Sequence, residues 1–203
     1  MFITFEGIDG CGKTTQLNLL HKYLKDIGYN VLTTREPGST PLAEKLRNVL
    51  LNMEYNISSV SEILMFEAAR AELVDSVIHP AICRKQIVLS DRFYDSTIAY
   101  QGFGRQQNID DIKLLNKITI REIIPNFTFL LDIPYSVSLE RRFGSIDDRI
   151  ESTGNAFYER VIAGYRSIAE EEPDRVKMID ATQSKEDIFH QIIQIVKPAL
   201  PPI

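Results

Sequence analysis

Short apolar runs alternate along this chain with stretches in which apolar residues recur every three or four positions. The runs predict strands at residues 2–6, 30–34, 87–91, 128–133 and 176–180. Two of them, "IVLS" and "FTFLLDI", are nearly continuous in apolar residues, as strands covered on both faces should be. Helical spacing appears at residues 15–27, 42–51, 61–82, 110–124, 136–142, 156–171 and 185–197. The closing "PALPPI" cannot continue a helix. Strands alternating with helices predict an α/β fold, a five-stranded parallel sheet flanked by helices. No linker, repeat or low-complexity segment interrupts it, so residues 1–203 are expected to form one domain. The least regular stretch, "RRFGSIDDRIESTGN" at residues 141–155, reads either as a solvated loop or as a mobile lid, approximately 142–153, that carries arginines to a phosphate.

Composition narrows the partners. With 203 residues, 44% apolar, the chain can bury a full core, and its net charge of −5 disfavours nucleic acid or an anionic membrane as a partner. A local basic cleft is compatible with that total. No apolar run approaches the ~20 residues of a membrane span, and "MFITFEG" lacks the charged and apolar regions of a signal peptide, so the expected location is cytoplasmic. Cys11 and Cys83 lack metal-ligand spacing and read as reduced thiols. Cys11 falls near a predicted helix start, where thiolate is favoured, so oxidant sensitivity is a further expectation.

The chemistry begins in "GIDGCGKT". G-x-x-x-x-G-K-T between a strand and an amphipathic helix is the phosphate loop of nucleotide-binding proteins, and the context is the one the pattern requires. Gly7, Ile8, Asp9, Gly10, Cys11, Gly12, Lys13, Thr14 and Thr15 are the expected nucleotide cradle. Its glycines let backbone N–H groups turn inward, and the helix start adds favourable potential for an anion. Lys13 should reach the β- and γ-phosphates, and Thr14 should ligate Mg²⁺. A second metal carboxylate is needed. Asp91, closing "IVLSD", is favoured over its rival Asp132 because Arg92 beside it offers a phosphate partner.

A guanine-nucleotide switch needs N-K-x-D, but "NKIT" at residues 116–119 ends in Thr119 and lies in a helical pattern. A kinase must hold two anions head to head, which demands positive charge beyond the cradle. Arg35, Arg70, Arg92, Arg141, Arg142 and Arg149 are available, with Arg35 and Arg92 best placed after predicted strands. A phosphate acceptor is already ionised near neutral pH, so no catalytic base is required. His21, His79 and His190 accordingly read as structural.

Four separated segments, "FEGIDGCGKTTQ", "REPGST", "FEAARAEL" and "DRFYDSTIAYQG", with the later "DRIE" and "IDAT", resemble the thymidylate kinase family over nearly the whole chain. The resemblance implies a P-loop kinase moving the γ-phosphate of ATP to dTMP with Mg²⁺, as a step towards dTTP. It implies that Phe66 stacks on thymine and Arg70 donates to its O4. Arg92 and Arg35 would bind the acceptor phosphate, with Pro37, Thr97 and Gln101 lining the pocket. Tyr100 would crowd C2′ and Asp9 would accept from the 3′-OH. The family also implies a homodimer, for which the apolar "LVDSVIHPAI" is a candidate interface, and adenine near the lid and "DATQ". Gly10 stands where some members place a catalytic arginine, so this chain resembles the type with lid arginines, Arg142 or Arg149. Its "FGSIDD" departs from a richly basic lid. A kinase of another nucleotide or deoxynucleoside, or a nucleotide-dependent regulatory module, are the alternatives.

Overall fold

The computed structural model describes residues 1–144 and 148–202, so part of the expected lid, residues 145–147, lies outside the described residues. Strands β1 (Phe2–Glu6), β2 (Val31–Arg35), β3 (Ile87–Asp91), β4 (Phe127–Asp132) and β5 (Val176–Asp180) form one sheet in the order β2-β3-β1-β4-β5. Every neighbouring pair is parallel. The continuous apolar runs occupy the three central strands, buried along almost their whole length, while β2 and β5 at the edges are partly exposed. Because β1 has β3 on one side and β4 on the other, the strand order reverses at its carboxyl end. A crevice opens there, as in other open parallel sheets.

Nine α-helices are described: α1 (Lys13–Asp26), α2 (Pro41–Leu51), α3 (Ser59–Leu73), α4 (His79–Cys83), α5 (Tyr94–Thr97), α6 (Ile109–Ile120), α7 (Tyr135–Arg141), α8 (Asn155–Glu171) and α9 (Lys185–Val196). Side chains cap several starts: Thr40 before α2, Ser58 before α3, Asn108 before α6 and Ser184 before α9 each accept from a first-turn N–H. Helix α1 has no side-chain cap; its first residue follows Gly12, leaving its N–H groups for another partner.

Three departures from the sequence pattern have physical causes. The expected helix 61–82 is α3 and α4 joined by a wider-wound turn at Val74–Ile78. The expected helix 110–124 stops at Ile120, because Arg121 and Glu122 adopt φ of 46° and 65°. The segment α5, continued by the wide helix Ile98–Gly104, was not expected, since it is buried on nearly every side and shows no polar face. It packs on α8 through glycines: a Cβ at Gly104 would come within 2.5 Å of Phe157, and one at Gly164 within 2.7 Å of Phe103.

One buried ion pair anchors this layer. Arg175 donates to both oxygens of Asp95 at 2.7 and 2.9 Å and to Thr128 at 2.7 Å, tying α5 to the start of β5. The Asp95 side chain is 1% exposed. Arg175→Met is expected to cost about 3–5 kcal/mol of unfolding free energy in urea, because it strands a buried carboxylate. The double variant Asp95→Asn/Arg175→Met should recover part of that loss.

Candidate active site

The cradle follows β1 directly. Gly7 has φ 130°, and a Cβ there would come 2.6 Å from the Leu131 carbonyl oxygen, so only glycine lets the loop turn this close to β4. Gly12 (φ 100°) opens α1, with nothing within 4 Å of where a Cβ would stand. Lys13 folds back across the loop and donates to the Gly7 and Ile8 carbonyls at 3.1 and 3.0 Å. Thr14 donates to Asp91 at 2.6 Å, so the two expected metal ligands face each other. Asp132, the rival, pairs instead with Arg166 at 2.8 Å. A hydroxyl beside a carboxylate is a hard oxygen pair that fits Mg²⁺, which takes one or two protein ligands and completes its shell from phosphates and water. Among the described residues no group of three or more His, Cys, Asp or Glu is placed to hold a metal ion.

Arg92 is the centre of the site. It adopts φ 68° just past β3. Its Nη2 donates to Asp9 at 2.6 Å and Tyr100 at 3.2 Å, while Nη1 donates to the Gly7 carbonyl at 2.9 Å and to the hydroxyls of Tyr165 and Ser96. The guanidinium carbon lies 5.0 Å from the Tyr100 ring centroid. Burial alone would raise the Asp9 pKa, but Arg92 and Lys13 prevail and hold it well below the usual carboxylate range.

Two cavities meet at this arginine. The broader, about 810 Å³, runs along the cradle past Gly10, Lys13, Thr14, Thr15, Arg35, Asp91 and Arg141. The narrower, about 90 Å³, is lined by Pro37, Phe66, Arg70, Thr97, Tyr100 and Gln101, among others. Asp9, Glu36, Arg47 and Arg92 line both. The structure thus brings the residues expected around an acceptor, except Arg35, together in one cavity that opens onto the cradle.

Arg70, Arg35 and Arg149 are each engaged by carboxylates of the chain. Arg70 lines the narrow cavity, yet all five of its N–H groups are engaged: with Glu36, Glu67, Asn116, Thr97 and, at 3.4 Å, the Phe93 carbonyl. Arg35 faces the broad cavity but pairs with Glu44 at 3.0 Å on the surface. Arg149 is turned away from the cradle, donating to the Leu50 carbonyl at 2.7 Å and to Glu62 at 2.6 Å. Of the two arginines expected near the transferred phosphate, Arg142 or Arg149, this one is engaged away from the cradle. Arg142 does lie by the cradle, its Cγ 3.2 Å from where a Gly10 Cβ would be. Its neighbour Arg141 bridges the carbonyls of Gly10 and Ala181 at 3.3 and 2.9 Å, linking the loop to "DAT". Cys11 is 1% exposed, and burial pushes its thiol pKa up despite Lys13 and Arg92, which removes the basis for oxidant sensitivity.

Sequence reading missed Arg47, which lines both cavities and donates to the Pro37 carbonyl at 2.9 Å. It also missed Glu6. That carboxyl, fully buried at the end of β1, accepts from the Phe93 N–H at 2.7 Å, Ser96 at 2.6 Å and Tyr165 at 2.8 Å. A charge closing an apolar run was the only signal for it.

A P-loop nucleotide-binding protein is the class that this sheet and cradle define. The profile of the thymidylate kinase family matches residues 5–192. Thymidylate kinase of Chlorobaculum parvum is 44% identical over 97% of this chain and 95% of its own length. That of Thermosipho africanus is 45% identical over 98% and 99%. A crystal structure of thymidylate kinase from Ehrlichia chaffeensis superposes with TM-score 0.80 at 39% identity, covering 97% of this chain and 98% of that one. The chain belongs to the thymidylate kinase family.

Glu6 generates a pH prediction. Burial and nearby Asp95 raise its pKa from 4.5 to about 7, against the pull of Arg92. A carboxyl with a raised folded-state pKa contributes most stability below 4.5 and loses it as pH rises through 7. Relative to Glu6→Gln, the wild-type chain should therefore lose roughly 3 kcal/mol of stability between pH 4.5 and 8. Denaturant unfolding of both proteins at the two pH values checks this, and a constant difference would contradict it.

Proposed function

We propose that this chain, as one catalytic unit, transfers the γ-phosphoryl group of ATP to dTMP. The observation that carries the reading is the opening of a narrow, Phe66-walled cavity onto the cradle at Asp9, Arg47 and Arg92. A flat pyrimidine suits the aromatic wall, and its 5′-phosphate would then lie towards the arginines. Backbone N–H groups at the start of α1 and the Lys13 ammonium hold the donor phosphates, Lys13 exchanging its carbonyl partners for phosphate oxygens. Thr14 and Asp91 are the residues that would hold Mg²⁺, which would supply charge neutralisation at the donor phosphates. Arg92, fixed by Asp9 and Tyr100, holds the acceptor phosphate, and Arg142 beside Gly10 supports the transferring group. Arg35 joins them on leaving its exposed pair with Glu44. The acceptor oxygen is already ionised, so rate comes from positioning and charge rather than from a base.

The expected surroundings are cytoplasmic, with neither nucleic acid nor membrane as partner. No helix among the described residues is long and apolar enough to cross a membrane. We also read the chain as a homodimer, through a surface other than the one expected from sequence. In "LVDSVIHPAI", Val74, Ile78 and Ala81 are fully buried, so that helix faces the core. Exposed apolar side chains stand instead on α3 (Val60, Leu64) and α6 (Leu114, Ile118). These helices pack side by side through Arg70 and Asn116.

Purified protein given ATP, Mg²⁺ and a panel of nucleotides and nucleosides should form dTDP from dTMP in preference to every other acceptor. Turnover only with another acceptor, or nucleotide binding without acceptor-stimulated ADP release, would overturn the reading. Lys13→Ala should lower dTDP formation by at least about 10²-fold. For the assembly, light scattering should give twice the chain mass, and Leu64→Glu/Ile118→Glu should give monomers.

A further inference from the structure

Glu62, on α3, is 1% exposed and accepts hydrogen bonds from three residues in two separate parts of the chain. Gln101 donates its Nε2 at 2.9 Å. Arg105 donates Nε at 3.3 Å and Nη2 at 3.4 Å. Arg149, from the segment following residues 145–147, donates Nη2 at 2.6 Å. A carboxylate facing two guanidinium groups accepts and does not donate. Gln101 must therefore turn its amide nitrogen towards Glu62, which sends its oxygen the other way. Gln101 lines the narrow cavity beside Phe66 and Thr97, and among the described residues no donor reaches that oxygen.

We propose that Glu62 is a specificity-positioning residue: by holding the Gln101 amide with its oxygen towards the cavity, it selects bases carrying N–H at ring position 3. Thymine and uracil present that N–H. Cytosine presents a bare nitrogen there, which is an acceptor facing an acceptor. A buried polar site matched to one hydrogen-bond pattern rejects the reversed one strongly, because the mismatched groups stay unpaired. Without Glu62 the amide of Gln101 could rotate and greet either base. Arg149 thus has a function away from the phosphates. It tethers the end of the expected lid to the carboxylate that orients the base reader.

The inference rests on the narrow cavity being the acceptor-base pocket, as proposed above. It is tested by calorimetric binding of dTMP and dCMP, with ATP as a control, to the full-length chain. Wild-type protein should prefer dTMP. Glu62→Gln, whose amide can both donate and accept, should reduce the dTMP-to-dCMP affinity ratio by about tenfold or more while ATP binding is unchanged. Gln101→Met, which keeps both ion pairs of Glu62, should cost the same discrimination. Adding Glu62→Gln to it should change the ratio no further.

An unaltered ratio in folded Glu62→Gln overturns the proposal, as does an unaltered ratio in Gln101→Met or an additional fall in the double variant. Should Glu62→Gln fail to fold, the Gln101→Met result still decides whether the amide reads the base. Failure of the wild-type chain to bind dTMP would instead sink the functional reading itself, so the two failures are distinguishable.

Discussion

The 2.6 Å contact between Asp9 and Arg92 joins the phosphate loop to the end of β3, and the rest of the site is arranged to keep it. Arg92 sits in a left-handed backbone conformation that a long side chain rarely adopts, which aims its guanidinium back across β1. The Tyr100 ring supports that group from one side, and the hydroxyls of Ser96 and Tyr165 meet its other nitrogen. Both hydroxyls are themselves held by Glu6. Asp9 also lies 3.6 Å from Lys13. One carboxylate therefore spaces the cation of the cradle from the cation of the acceptor cavity. Where rate comes from holding two phosphates in register, that spacing is the quantity a fold must control.

The cations of the site divide by how firmly they are held. Arg70, 1% exposed, is surrounded by Glu36 and Glu67, and Arg149 by Glu62, also 1% exposed. Removing either partner from such a buried pair is costly, so these arginines act as framework. Arg35 and Glu44 pair on the surface, where an ion pair is worth little against solvent and salt. Arg35 can leave Glu44 for a phosphate at small cost. An acidic chain can in this way bind two polyanions: its carboxylates fix most of the arginines before any ligand arrives, and a few stay free to move.

The parts of the site legible in sequence are those whose chemistry is local. The cradle is one loop with its glycines, lysine and threonine in consecutive positions, and a strand before it and helix after it complete the pattern. Asp91 and Arg92 could be placed because a parallel strand delivers its last residues to the crevice. Glu6, Arg47 and Glu62 were not legible. Glu6 and Glu62 take their roles from neighbours 39 to 159 positions distant, such as Gln101 for Glu62 and Tyr165 for Glu6. A charge beside apolar residues marks each, but names no partner; Arg47, in a helix with other charges, lacks even that mark. Arg149 shows the opposite failure. Family resemblance left Arg142 and Arg149 both open for the transferred phosphate, and could not foresee that a buried carboxylate on α3 holds Arg149.

The Arg70 cluster explains which way an acceptor would lie. Burial pushes the Glu36 carboxyl up to about 7 even against the adjacent guanidinium. The Arg70 guanidinium is met by Glu36 and Glu67, which offset its charge inside the cavity wall. This end of the narrow cavity is walled by Phe66, while its mouth carries Arg47 and Arg92 against Asp9. Arg47 is crowded enough there that burial and the charge of Arg35 lower its pKa. A molecule with one flat uncharged end and one phosphate would enter this gradient with its phosphate towards Arg47 and Arg92, oriented by charge before any hydrogen bond to its flat end is made.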